Sequence, residues 1–150
     1  MQRPCFHLSI PASDLTHSRN WYEQVLGCVA GRSSESAVIL DLAGHQLVLQ
    51  RQLEPLSEQT GIYPRHFGLV FEAQADWEAL RQRIAATGEP FAVAPKWRFG
   101  GTVLEHATFF LRDPSGNWLE FKHYRQAEAV LGCRDRSEVG DPEWRSPTPP

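Results

Sequence analysis

At 150 residues the chain holds enough material for one domain, or for two very small modules sharing a core. Its 41% hydrophobic and 22% charged residues fit an ordinary globular protein. A formal net charge of −3 without a basic stripe excludes nucleic acid as the expected partner, and no apolar run approaches the roughly 18 residues of a membrane span. Cys5, Cys28 and Cys133 form neither a disulfide framework nor a CxxC zinc motif, and no signal-like apolar stretch follows Met1, so a cytoplasmic protein with reduced thiols is expected.

In chain order, Phe6 to Ile10 reads as a short strand closed by Pro11. Ser13 or Asp14 then offers an N-cap, and Leu15, Tyr22, Val25 and Leu26 recur at helical spacing until Gly27. A short extended piece around Cys28 to Arg32 precedes two strands, Ala37 to Leu42 and His45 to Arg51, joined by an Ala43-Gly44 turn. Residues 53–64 are polar with two prolines and read as a linker. Arg65 to Glu72 is again a strand. A helix starting near Asp76 carries Trp77, Leu80 and Ile84 and stops at Gly88. Phe91 to Ala94 and His106 to Arg112 read as strands, with the Gly-rich segment Lys96 to Val103 as a loop that covers a cavity mouth and meets an anionic substrate, or else as a plain basic hairpin loop. The turn Asp113-Pro114-Ser115-Gly116 feeds a last strand, Asn117 to Tyr124. Residues 126–150 lose periodicity and are expected to be loosely ordered, with Trp144 as a docking candidate.

The chain repeats itself. Asp41 to Leu49 aligns without a gap on Asp113 to Phe121, and His7 and His66 stand at nearly the same distance ahead of the helix-ending Gly27 and Gly88. Each half therefore reads strand, helix, three strands: an α+β chain of two βαβββ modules, over residues 1–52 and 65–125. The imidazoles of His7 and His66 lie in apolar strands, and Glu120 sits between Leu119 and Phe121, where a carboxylate is costly to bury unless paired or metal-bound. Two imidazoles and one carboxylate form the set that holds Fe(II) on one face and leaves positions open. It also suits Mn(II), Zn(II), Ni(II) or Co(II).

The stretches FHLSIPASDLTHSRNWYEQVLGC, RHFGLVF and FFLRDPSGNWLEF resemble the vicinal oxygen chelate superfamily, which includes glyoxalase I, extradiol dioxygenases, fosfomycin-resistance proteins and bleomycin-binding proteins. The resemblance covers residues 5–124. It implies curled mixed sheets around a metal-bearing cavity, with His7, His66 and Glu120 as ligands, and a homodimer acting on a small molecule. The strand position matching Glu120 in the first module is Val48, which cannot coordinate, so the four-ligand glyoxalase pattern is incomplete. A ring-cleaving relative has Tyr where this chain has Phe110. Expected second-line groups for a proton or for reactive oxygen are His106, Arg98, Gln50 and Tyr124. The leading expectation is an Fe(II)-dependent, extradiol-dioxygenase-like enzyme working on a catechol- or enolate-forming substrate. The alternatives are a glyoxalase-like lyase or isomerase and a non-catalytic, bleomycin-resistance-like binding protein.

Overall fold

The computed structural model describes residues 1–141. Strand β1 (His7–Ala12) leads into helix α1 (Leu15–Leu26) and strands β2 (Val29–Ser33), β3 (Ala37–Leu42) and β4 (His45–Arg51). The second half repeats this with β5 (Phe67–Phe71), α2 (Gln74–Thr87), β6 (Val93–Arg98), β7 (His106–Arg112) and β8 (Trp118–Tyr124). Each half is a four-stranded mixed sheet, ordered β1-β4-β3-β2 and β5-β8-β7-β6, and neither sheet closes on itself. In each, the first strand runs parallel to the last while the other pairs are antiparallel. Among the described residues no helix is long and apolar enough to cross a membrane.

The internal repeat is visible in the registers. Val48 lies between Ser9 and Ile39, as Glu120 lies between Gly68 and Phe110. One core serves both halves. Tyr22, Val25, Leu40 and Leu49 from the first half and Ile84, Phe109, Leu111 and Phe121 from the second belong to one buried cluster, with α1 packed on α2. Two polar fasteners lock the halves. Tyr22, fully buried, donates its hydroxyl to Asp113 Oδ2 at 2.7 Å, and Asn117 Nδ2 donates both to Asp113 Oδ2 at 2.7 Å and to Pro11 O at 2.9 Å. From α2, the Arg83 guanidinium donates to the carbonyls of Glu23, Gln24 and Val25 at 3.1–3.3 Å, placing a cation on the orphan acceptors at the C-terminus of α1.

Three elements differ from the sequence expectation. Strand β1 continues through Pro11 to Ala12, because it is an edge strand on the side where a missing N–H breaks no ladder. Helix α2 begins at Gln74 behind an Ala73 cap without a side-chain bond, and Asp76 serves in its first turn beside the positive end of the helix dipole. Strand β6 runs later than Phe91 to Ala94 and takes in Lys96 to Arg98, with an irregular register between Val93 and Lys96 that accommodates Pro95. The loop shrinks accordingly, with Phe99 in the left-handed region at φ 51°. In the C-terminal stretch, a short 3-10 turn spans Ala127–Ala129, and Trp144 lies outside the described residues.

Candidate functional site

The outer face of the second sheet carries the chemistry. Strand alternation puts Phe109, Leu111, Leu119 and Phe121 in the core, so Glu120, Lys122 and Tyr124 on β8 face the other way. Beside them on β7 stand Phe110, Thr108 and His106, and β6 adds Lys96 opposite Thr108 and Arg98 opposite His106. These strands floor a cavity of about 610 Å³, walled by Tyr63 and roofed by residues from the segment after β8.

Both oxygens of Glu120 are engaged. Thr108 Oγ1 donates to Oε1 at 2.8 Å, His66 Nε2 lies 3.1 Å from Oε2, and Lys122 Nζ lies 3.6 Å from the same oxygen. Gly68 makes this approach possible: opposite Glu120, it leaves no room for a Cβ, which would come within 2.7 Å of the Glu120 carbonyl carbon. Burial pushes the Glu120 carboxyl up, but the His66 hydrogen bond, the Lys122 charge and the Thr108 hydroxyl together hold it below its ordinary value. His66 moves the opposite way. Its bond to Glu120 raises it, against burial, with help from the Ile62 carbonyl.

The Ile62 contact fixes the chemistry of the pair. His66 Nδ1 is 2.6 Å from Ile62 O, a group that only accepts, so Nδ1 carries the hydrogen. The neutral ring therefore points the lone pair of Nε2 at a carboxylate oxygen. Two lone pairs at 3.1 Å repel unless a cation lies between them, and that cation is either a proton or a metal ion. One imidazole and one carboxylate thus offer two donors to a divalent ion, each oriented from behind by a hydrogen bond, His66 to Ile62 O and Glu120 from Thr108 Oγ1.

His7 does not join them. It lies exposed at the start of β1 on the other sheet, with Nδ1 2.7 Å from Gln46 Oε1, and among the described residues no three His, Cys, Asp or Glu side chains cluster as a metal group. Gln50 is also on the first sheet, donating to Ser36 O at 3.0 Å, away from this cavity. His106 is in the cavity. Its Nδ1 donates to Leu104 O at 2.9 Å, its ring stacks obliquely on Tyr124 at 4.7 Å, and its Nε2 has no hydrogen-bond partner among the described residues. Burial, reinforced by Lys122 and Arg98, lowers its pKa, so the ring is neutral at pH 7 with a basic nitrogen available. Phe110 packs edge-on against the His66 ring at 5.4 Å and offers no hydroxyl. Arg98 also lies in the cavity, but an acidic partner already holds it: Asp141 Oδ1, 2.9 Å from Nη2.

Sequence reasoning missed Tyr63 and Asp141. Both lie in segments read as linker and tail, where no periodic pattern reports a contact with the cavity. The aligned halves do foreshadow the empty first sheet, because Val48 occupies the Glu120 position there.

Comparison with known proteins agrees with this architecture. The sequence profile described as the glyoxalase/bleomycin resistance protein/dioxygenase superfamily matches residues 5–121. A glyoxalase/bleomycin resistance protein/dioxygenase from Alicyclobacillus acidocaldarius is 38% identical, with a TM-score of 0.78 over 85% of this chain and 96% of its own. The lactoylglutathione lyase of Agrobacterium tumefaciens shares the fold at 18% identity and a TM-score of 0.61, covering 81% of this chain and 94% of its own. The fosfomycin resistance protein FosX of Listeria monocytogenes does so at 13% identity and a TM-score of 0.64, covering 86% and 99%. No curated protein matches the chain. The duplicated βαβββ halves and the profile spanning residues 5–121 lead to one conclusion: the chain belongs to the glyoxalase/bleomycin resistance protein/dioxygenase, or vicinal oxygen chelate, superfamily.

Proposed function

We propose that the chain is a divalent-metal-dependent enzyme acting on a small oxygenated substrate that forms an enolate or catecholate. One observation supports this reading: His66 Nε2 and Glu120 Oε2 converge to 3.1 Å as two donors that an ion could share. The ion would be held by His66 and Glu120 and, when bound, would act as a Lewis acid on substrate oxygens. Fe(II) is the favoured metal, with Mn(II), Zn(II), Ni(II) and Co(II) compatible with the same donors. In this reading His7 serves the site of a second copy, so the working unit is a homodimer.

The chain's own residues supply the rest. Thr108 holds one oxygen of Glu120, which fixes the carboxylate plane. His106 accepts a proton from a substrate hydroxyl or carbon at Nε2, which its Nδ1 bond to Leu104 O leaves unprotonated. Phe110 and Leu104 form the apolar wall that keeps bulk water from the reacting centre. Oxygen-dependent ring cleavage is our primary reading of the reaction, with lyase or isomerase chemistry in second place. Metal-free sequestration of a planar ligand is a separate reading, favoured by the size of the cavity and by the distance of His7 from the pair.

Metal content of protein purified without chelator tests the proposal. Wild type should carry close to one ion per chain, and His66→Ala and Glu120→Ala should lose it. Equally low metal in all three proteins defeats the metalloenzyme reading. Mixing inactive His7→Ala and His66→Ala chains should recover part of the metal content, because a mixed dimer holds one intact shared site. Fe(II)-loaded protein with a panel of catechols, followed by oxygen uptake, separates ring cleavage from the isomerase reading.

A further inference from the structure

Residues 129–141 pass over the cavity floored by β6, β7 and β8. Among the described residues this strap shows no buried apolar anchor: Leu131 is 91% and Val139 94% exposed. The contacts it makes to the sheet among those residues are polar. Asp141 Oδ1 lies 2.9 Å from Arg98 Nη2 and Oδ2 lies 3.3 Å from Lys96 Nζ, while Arg98 Nη1 donates to Gly140 O at 3.3 Å and the Asp141 amide bonds the Tyr63 hydroxyl. The Asp141 carboxylate is 8% exposed and the Arg98 guanidinium 12%, so their pair lies inside the cavity, while Lys96, its side chain 39% exposed, stands at the rim.

The two cations are arranged for one acid group. Lys96 and Arg98 alternate along β6 onto the same face and present an ammonium and a planar guanidinium to the two oxygens of a single carboxylate. The Phe99 ring, turned by its left-handed backbone, lies 5.0 Å from the Arg98 guanidinium carbon and braces it. The same face carries His106, Glu120 and His66, one, two and three strands away.

We propose that Lys96 and Arg98 form the acid-group subsite of this cavity, that the Asp141 carboxylate occupies it as an internal stand-in, and that the natural ligand is a small anion, a carboxylate above all, which displaces Asp141 on binding. This rests on the reading of the cavity as the substrate site and names the substrate class that reading leaves open. It also assigns a role to the strap. Because its hold is ionic and its apolar residues are exposed, an incoming acid exchanges one carboxylate for another while the aromatic and apolar wall stays in place.

The test uses full-length protein and a matched pair of fluorescent probes, 8-anilinonaphthalene-1-sulfonate and the uncharged N-phenyl-1-naphthylamine. Asp141→Asn should bind the anionic probe about tenfold more tightly than wild type, with little change for the neutral probe. Adding Arg98→Gln to Asp141→Asn should abolish the gain, again only for the anion. Benzoate should compete with the anionic probe more strongly against Asp141→Asn than against wild type. Thermal melts of all variants confirm that each is folded. An unchanged anion affinity in Asp141→Asn, or equal gains for both probes, overturns the proposal. Cobalt(II) titration of the same samples keeps the two readings apart. Lost anion selectivity with intact metal binding defeats the subsite alone, whereas lost metal binding with intact selectivity defeats the metal reading alone.

Discussion

Gly68→Ala tests the geometry on which the site depends. Gly68 and Glu120 are direct partners in the parallel β5–β8 ladder, and His66 lies two residues before Gly68. A methyl at Gly68 would overlap the Glu120 carbonyl oxygen outright, and would sit 2.7 Å from its carbonyl carbon and 3.0 Å from its amide nitrogen. Ordinary carbon contacts need about 3.5–4.0 Å, and the obstacle is backbone, which no rotamer change can move. Strand β5 must therefore retreat by about 1.5 Å from a normal separation of about 4.8 Å, stretching N–H···O bonds past their useful range. Overpacking costs about 1–3 kcal/mol, and each weakened ladder bond adds about 1 kcal/mol, so a loss of about 3 kcal/mol or more is expected. That corresponds to a drop in Tm of roughly 6–12 °C. Urea unfolding supplies the free energy. Gly100→Ala is the control, because nothing lies within 4 Å of its Cβ position, and it should change stability by less than about 0.5 kcal/mol. The same retreat draws His66 from Glu120, so Gly68→Ala should also weaken Co(II) binding in folded protein. A Gly68→Ala protein as stable as the Gly100→Ala control would refute the ladder register, and with it the approach of His66 to Glu120.

In protein stripped of metal, the raised pKa of His66 gives stability that is complete below its unfolded value near 6.5 and lost as pH rises through the folded pKa. The lowered pKa of Glu120 gives stability present above its unfolded value near 4.5 and lost as pH falls through the folded pKa. The pair therefore contributes most between about pH 4.5 and 6.5, and Glu120→Gln should flatten both limbs of a Tm-against-pH curve; a curve of unchanged shape would exclude the pair as its source. Thr108→Val removes the donor that orients Glu120 Oε1 and should weaken Co(II) binding about 10–100-fold by isothermal titration, with the fold retained. Tyr22→Phe leaves the buried Asp113 carboxylate one donor short and should cost about 1.5–3 kcal/mol in urea unfolding; a loss under about 0.5 kcal/mol would show that the fastener is idle.

Periodic segments were legible because burial acts on them in a repeating way. The apolar spacing of α1, its Asp14 cap and Gly27 stop, and the strands β3, β4, β7 and β8 all fall where the sequence places them. The repeat was legible too, down to Val48 in the position of Glu120. What sequence hides is placement between elements. Nothing in the linker announces that Ile62 O will set the tautomer of His66, because that depends on how the chain enters β5. Asp141 resembles any charged tail residue until β6 is seen to present Lys96 and Arg98 on the cavity face. The pairing of His66 with Glu120 follows from strand order, which brings β5 beside β8; the same order keeps His7 on the other sheet.

The fastener between Tyr22, Asp113, Asn117 and Pro11 gives the two halves a shared fate. Asp41, the counterpart of Asp113, is content locally, accepting from the Gly44 amide, whereas Asp113 reaches across to a tyrosine of the other half. The duplication is thus asymmetric in labour. One half carries Val48 where the other carries Glu120 and supplies the tyrosine that holds Asp113, while Arg83 of the second half closes the helix of the first. Because one buried cluster draws on both halves, a lesion deep in the first half also loosens the packing beneath the strand that carries Glu120.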